Sequence, residues 1–215
     1  MMSKKLLLIG GGGHCKSVLD TLLQLNQYSE ISIIDKSENI GKYIFGISTI
    51  GCDNDLVKLY ESGYNYAFVT LGSIGNPSQR IKLYNMIEEI GFEIPNFLDL
   101  TSIVSQYVKM ESGIYVGKNV VINAGSIIGK GSIINTSSTV EHDCVIGEFS
   151  HIAPGTVLCG EVHVGKNVHI GAKSVIKQQV NIGDNTTIGM GSVVLNNIDD
   201  SIIAYGNPCK EVKPR

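Results

Sequence analysis

From residue 104 onward an aliphatic side chain or Met falls at every sixth position: Val104, Met110, Val116, Ile122, Ile128, Ile134, Val140, Ile146, Ile152, Leu158, Val164, Ile170, Ile176, Ile182, Ile188 and Val194. No insertion breaks the run. Four residues after each of these, from Val116 on, comes a small or β-branched residue such as Val120, Ser126, Ser132, Ser138 or Cys144. The residue directly after the aliphatic is often Gly or Asn. A period of six fits one short flat strand and a turn, and three such faces close a triangular coil of 18 residues whose aliphatic positions stack into one core. Gly and Asn are expected at the turns because they tolerate the left-handed backbone conformation.

The first hundred residues follow another pattern. "KKLLLIG", "ISIIDK" and "YAFVTLG" read as short buried strands, while "HCKSVLDTLLQL", "NDLVKLYESG" and, after Pro77, "SQRIKLYNMIEEIG" have helical spacing, the last two ending in Gly. Strands alternating with helices predict a small parallel α/β domain. The expected division is a Rossmann-like α/β domain over 1–97 and a repeat coil over 98–215.

Composition narrows the function classes. Of 215 residues 25 are Gly, well above the ~7% of an ordinary chain and without collagen's triplet spacing. A net charge of −3 with scattered Lys and Arg argues against nucleic-acid binding. No stretch of 18 apolar residues predicts a membrane span, and the run Leu6 to Ile9 is too short for a secretory core. Five Cys with no CxxC pair fit a reducing, cytoplasmic setting better than a disulfide frame.

In an 18-residue coil, positions 18 apart lie over one another, so neighbours can be read from the numbering. His142 sits in "TVEHDC" two residues after inward-facing Val140, on the surface or at a turn, with Ala124 and Gly160 above and below it. A histidine between two minimal side chains has room for a ligand. The adjoining carboxylates can fix its tautomer and raise its basicity, which points to acid–base chemistry rather than an idle surface histidine. His151 and His169 also differ by 18 and are expected to stack on one outer face, beside the His142 notch. A zinc site built from histidines is a rival, disfavoured by the carboxylates around His142. Cys144 occupies a small inward position and reads as packing.

"LLLIGGGGHCKSVLD" joins a strand to a helix, the context in which a glycine loop lets backbone N–H groups approach a phosphate. The GxGxxG fingerprint is incomplete, because its third glycine falls on Cys15 or Lys16. Asp35 ends the second strand, where a carboxylate can meet a ribose hydroxyl. A nicotinamide-dependent enzyme, a bare tight turn without ligand, a non-catalytic nucleotide-sugar binding protein and an enzyme acting on a nucleotide-linked sugar all fit this loop.

With "IGGGGH", "NTSSTVEHDCVIGEFSHIAPG" and "YGNPCKEVK", the whole chain resembles the NeuD-like sugar acyltransferases, which include acetyltransferases of nucleotide-linked 4-amino sugars of the bacillosamine and perosamine types and sialic acid O-acetyltransferases. The resemblance implies a left-handed parallel β-helix and a homotrimer with acetyl-coenzyme A in the groove between neighbouring coils. It implies no metal. By motif position His142 matches the general base and Asp143 the carboxylate that increases its basicity; this carboxylate is often Glu in the bacillosamine enzymes. His151, Ala172 and Met190 match coenzyme contacts, and Gly12, Gly13, His14, Asp35, Lys36 and Gly72 match residues that hold the nucleotide-sugar. The implied reaction is acetyl transfer to the sugar amino group, with O-acetylation of a sialic acid as the alternative.

Overall fold

The computed structural model describes residues 4–215, and the chain divides into two compact units, Met1–Gly72 with Ser78–Phe97, and Ser73–Pro77 with Leu98–Arg215. The first is an α/β unit. Strand β1 (Lys5–Ile9) has Leu6, Leu7 and Leu8 fully buried and pairs in parallel with β2 (Glu30–Ile34) and β5 (Tyr66–Val69). A hairpin of β3 (Tyr43–Ile44) and β4 (Ile47–Gly51) extends the sheet to the order β3-β4-β2-β1-β5. Helix α1 (Gly13–Leu25) buries Cys15, Val18, Leu19 and Leu22 at helical spacing and ends on Asn26 in the left-handed conformation. A 3₁₀ turn (Asp53–Asp55) leads into α2 (Leu56–Glu61), and α3 (Ser78–Ile90) buries Leu83, Tyr84 and Ile87.

The hairpin is absent from the pattern of hydrophobic positions. Its two-residue turn has Phe45 and Gly46 at φ 48° and 81°, a mirror-image turn that suits hairpin twist. Aromatic residues seldom occupy that conformation, so Phe45 carries no turn signal.

The second unit is the coil. Two-residue strands stack in parallel at an offset of 18 residues on three faces. The first face includes Val121–Ile122, Thr139–Val140, Val157–Leu158 and Val175–Ile176; the second Ile127–Ile128, Val145–Ile146 and His163–Val164; the third Ile133–Ile134, His151–Ile152 and His169–Ile170. The inward aliphatics from Val116 to Val194 are at most 2% exposed and form one continuous core. The coil is closed by a hairpin of Ile202–Gly206 and Cys209–Pro214.

The small inward residues have a second task. Their hydroxyls donate to the carbonyl 15 residues on: Ser126 to Glu141 (2.9 Å), Ser138 to Ala153 (2.9 Å), Ser150 to Gly165 (2.7 Å) and Ser174 to Gly189 (3.0 Å). Polar residues are thus fully buried at no hydrogen-bonding cost.

The reason expected for the turn glycines is corrected. Left-handed φ recurs every six residues from Gly113 through Ser137, Asp143, Phe149 and Lys173 to Gly191, three positions after each inward aliphatic. The glycines directly after the aliphatics are not left-handed. Gly147 is required by close approach, since a Cβ there would stand 2.5 Å from the carbonyl carbon of Gly165.

Candidate active site and nucleotide crevice

His142 lies at the corner between the first and second faces, exposed to solvent. Its backbone is held by the coil below, the Glu161 N–H donating to the His142 carbonyl at 2.9 Å. Asp143 occupies the left-handed position of that turn (φ 59°) and its N–H donates to the Ala124 carbonyl at 3.0 Å. This conformation turns its carboxylate back on its neighbour, with Oδ2 2.9 Å from His142 Nδ1. A carboxylate only accepts, so Nδ1 carries the proton and Nε2 keeps its lone pair. Nε2 faces Gly160, as expected from the spacing, and a Cβ at Gly160 would stand 2.6 Å from it. The hydrogen bond to Asp143 raises the His142 pKa above the ordinary imidazole value, opposed by desolvation and assisted by the charges of Asp143, Glu141 and Glu161. Glu141 is turned away to accept from Asn123 Nδ2 at 2.9 Å.

His151 and His169 do stack, with ring centroids 5.0 Å apart, but on the third face, opposite the His142 corner. The expectation that the pair lies beside the notch is corrected. The face assignment follows from counting: residues 139–140 and 151–152 are two strands apart, so the corner after the first and the third face stand across the triangle. His151 is 8% exposed, its Nδ1 donating to the Ser73 carbonyl (2.9 Å) and its Nε2 accepting from Asn135 (3.1 Å). Burial lowers the His169 pKa, with Arg215 adding to the effect. Ala172 and the 82%-exposed Met190 stack at the corner between the third and first faces. The first face therefore separates the base from Ala172 and Met190 in a single chain. Its outward row is Ile103, Val121, Thr139, Val157, Val175 and Val193, with Ile103 68% and Val175 39% exposed.

In the α/β unit the strand order reverses between β1 and β5, the switch point at which open α/β sheets bind ligands. Gly10 (φ 110°), Gly11 and Gly12 lead from β1 into α1, which begins at Gly13 and His14. Nothing lies within 4 Å of a Cβ placed on Gly12 or Gly13, so the loop's outer surface is open. Gly72, after β5, comes close to His14, a Cβ there meeting the His14 Cβ at 3.4 Å. Asp35 Oδ1 accepts from the Lys36 N–H (2.8 Å) and Oδ2 from Asn39 Nδ2 (3.0 Å). Its carboxylate is thereby oriented with lone pairs still available. Two cavities adjoin it, one of about 390 Å³ reaching Lys36 and Gln79 and one of about 430 Å³ reaching Lys16 and Lys42.

Burial pushes the thiols of Cys15 and Cys144 up to about 11, which disqualifies them as nucleophiles. Among the described residues no three His, Cys, Asp or Glu side chains are grouped to hold a metal ion, and no helix is long and apolar enough to cross a membrane.

Comparison with known proteins agrees with both units. Residues 5–87 match the PglD N-terminal domain family, and 125–160 and 161–196 match the bacterial transferase hexapeptide family. PerB from Caulobacter crescentus, in complex with CoA and GDP-perosamine, is 33% identical, with 99% of each chain covered and a TM-score of 0.91. A histidine-to-asparagine variant of perosamine N-acetyltransferase from the same organism, with the same ligands, is 32% identical over 99% of this chain and 98% of that one, TM-score 0.92. The acetyltransferase domain of PglB from Neisseria gonorrhoeae FA1090, in complex with acetyl coenzyme A, is 31% identical over 98% of this chain and all of that one, TM-score 0.90.

Proposed function

The chain belongs to the NeuD-like sugar acetyltransferases, with a Rossmann-like unit followed by a left-handed β-helix, and on that premise we propose that it acetylates the amino group of a nucleotide-linked 4-amino sugar with His142 as general base. It is an acetyl-CoA-dependent sugar N-acetyltransferase. The observation that carries the finer reading is the His142–Asp143 pair, which holds a basic Nε2 against Gly160 of the next coil.

The chemistry follows from that geometry. The neutral sugar amine attacks the thioester carbonyl, forming the C–N bond. His142 Nε2 takes the ammonium proton, and the intermediate collapses with cleavage of the C–S bond. The imidazolium then returns the proton to the coenzyme thiolate, and no covalent enzyme intermediate is needed. A base positioned in this way contributes ~10²- to 10⁴-fold. Among the described residues the Gly160 N–H donates to no backbone carbonyl, and Gly160 adjoins Nε2, which makes this N–H a candidate donor for the oxyanion.

Gly12, Gly13, His14, Asp35, Lys36 and Gly72 hold the nucleotide-sugar in this reading, the open glycine loop facing phosphate and Asp35 the ribose. Ala172, Met190 and His151 contact the coenzyme in this reading, Ala172 and Met190 along an exposed corner and His151 from the outer side of the adjoining third face. Because the first face separates that corner from His142, the complete site requires a second copy, and the apolar outward row of that face is the surface on which copies would pack into a homotrimer. The free state of all five cysteines fits a cytoplasmic enzyme.

A thiol-release assay with acetyl-CoA across UDP-, GDP- and dTDP-4-amino sugars and sialic acids tests the reading. Turnover with at least one nucleotide-linked amino sugar is expected. Turnover with sialic acids alone would reassign the enzyme to O-acetylation.

A further inference from the structure

The 390 Å³ crevice at the switch point has walls suited to a flat ring, with Ile34, Leu71 and Leu83 supplying aliphatic surface. Its polar groups fall into two kinds. Asp35 is already engaged by Lys36 and Asn39. Asp53, Asn54 and Gln79 have side chains with no hydrogen-bond or ionic partner among the described residues. Asp53 and Asn54 come from the turn after β4 and Gln79 from the first turn of α3, so they reach the crevice from two different elements.

An unpartnered carboxylate on a ligand crevice is a discriminating group. Solvent satisfies it when the crevice is empty, and any ligand that displaces this water without offering donors leaves it unpaired at a cost. Sites built on such groups reject analogues that lack the matching donors far more strongly than apolar pockets reject a change of size.

We propose that this crevice reads the base of the nucleotide-linked sugar and that Asp53 selects guanine, an inference that rests on the nucleotide-sugar reading above. Guanine presents two adjacent donors, N1–H and the exocyclic amino group, matching the two oxygens of one carboxylate. Uracil and thymine present a single N–H between two carbonyl oxygens, which a carboxylate repels. Adenine and cytosine place a ring acceptor beside their amino group. The amides of Asn54 and Gln79 can each donate to the guanine O6, which no carboxylate can do. Asp53 is a specificity residue in this scheme and takes no part in acetyl transfer.

Titration calorimetry on the full chain with GDP, IDP, ADP, UDP and dTDP tests this. GDP is expected to bind at least ~10-fold more tightly than any of the others, as one good bidentate base contact provides. IDP lacks only the exocyclic amino group and isolates that contact. Asp53→Ala and Asp53→Asn should bring GDP and IDP within about threefold of each other, with UDP affinity raised because the carboxylate that repels the uracil oxygens is gone. Because the Asp53 side chain has no hydrogen-bond or ionic partner among the described residues, both variants should melt like the parent. A wild-type preference for UDP or dTDP, or a GDP preference that survives both substitutions, would overturn the inference and leave the nucleotide-sugar reading standing. Failure of every nucleoside diphosphate to bind would overturn both.

Discussion

The Nε2 of His142 faces Gly160, the residue 18 positions on in the next coil, where a Cβ would stand 2.6 Å from that nitrogen and 2.7 Å from Cε1. No other residue type fits beneath the ring without moving it. The His142 side chain is exposed, so it can swing away at little cost to folding. Gly160→Ala should therefore lower kcat by ~10- to 10²-fold through displacement of the base, with the melting temperature within about 3 °C of the parent, roughly what a ΔΔG under 1 kcal/mol produces in a chain of this size. Steady-state kinetics and a thermal melt on the same preparation check both halves.

Replacing the base itself should be more severe. His142→Ala is expected to lower kcat by at least ~10²-fold with coenzyme affinity nearly unchanged, because the site loses its base while Ala172 and Met190, the proposed coenzyme contacts, stay in place. Turnover near the parent's would remove His142 from the mechanism.

The pH profile separates the roles of the pair. His142 must be neutral to accept a proton, so activity rises with pH through its pKa. The Asp143 hydrogen bond raises that pKa, which sets the acidic limb above the ordinary imidazole value. Asp143→Asn removes this largest raising cause, so the limb of kcat/KM should move to lower pH. Asn can still accept from Nδ1–H and hold the tautomer, so the loss in plateau rate should be smaller than for His142→Ala. An unmoved limb would mean that Asp143 does not tune the ring in solution.

Two kinds of turn position predict opposite responses to glycine chemistry. Gly147 needs its missing Cβ, because the Gly165 backbone lies 2.5 Å from where that atom would be. Neighbouring backbone cannot yield, so Gly147→Ala should destabilise the coil by more than ~3 kcal/mol, beyond the usual overpacking range. Lys173 carries the left-handed conformation at φ 58° on a residue with a Cβ. Lys173→Gly relieves a cost of ~1 kcal/mol and should leave stability unchanged or slightly raised. Denaturant melts of the two variants check the contrast.

How far these features can be read from the chain depends on whether they repeat. The coil is legible because sixteen aliphatic positions obey one period, and His142 over Gly160 follows from counting 18. The His142–Asp143 contact is legible only as an adjacency, since the left-handed turn that aims the carboxylate depends on three-dimensional closure of the coil. The same counting rule, followed strand by strand, places His151 and His169 on the face opposite the notch, because a multiple of six moves a residue to another face and only 18 returns it. Non-repeating features escaped. Phe45 turns a hairpin without a turn residue's composition, and Asp53 gains significance only from the crevice that β4 and α3 form around it. The serine hydroxyl ladder lies between these cases: its spacing is regular, but the acceptor 15 residues on is a carbonyl, which sequence does not display.

The apolar outward row of the first face carries the assembly prediction. A sheet face with Ile103, Val157 and Val175 turned outward is uncommon on a surface that stays wet, and the third face by contrast is covered, with Tyr115 2%, Ile133 3% and His151 8% exposed. If the first face packs against neighbouring copies, the corner bearing Ala172 and Met190 in one chain can meet the His142 corner of another, which a single chain cannot achieve. Closed cyclic symmetry then gives a trimer of about 70 kDa from the 23.1 kDa chain. Val175→Glu places a charge in the middle of that row, and burying it unpaired costs several kcal/mol. Multi-angle light scattering should show the parent as a trimer and Val175→Glu shifted to monomer, with acetyl transfer lost in the variant and GDP binding by the α/β unit retained. A parent that is monomeric and active at assay concentration would sink the shared site, because the base and the coenzyme corner would then have to act from opposite edges of one face.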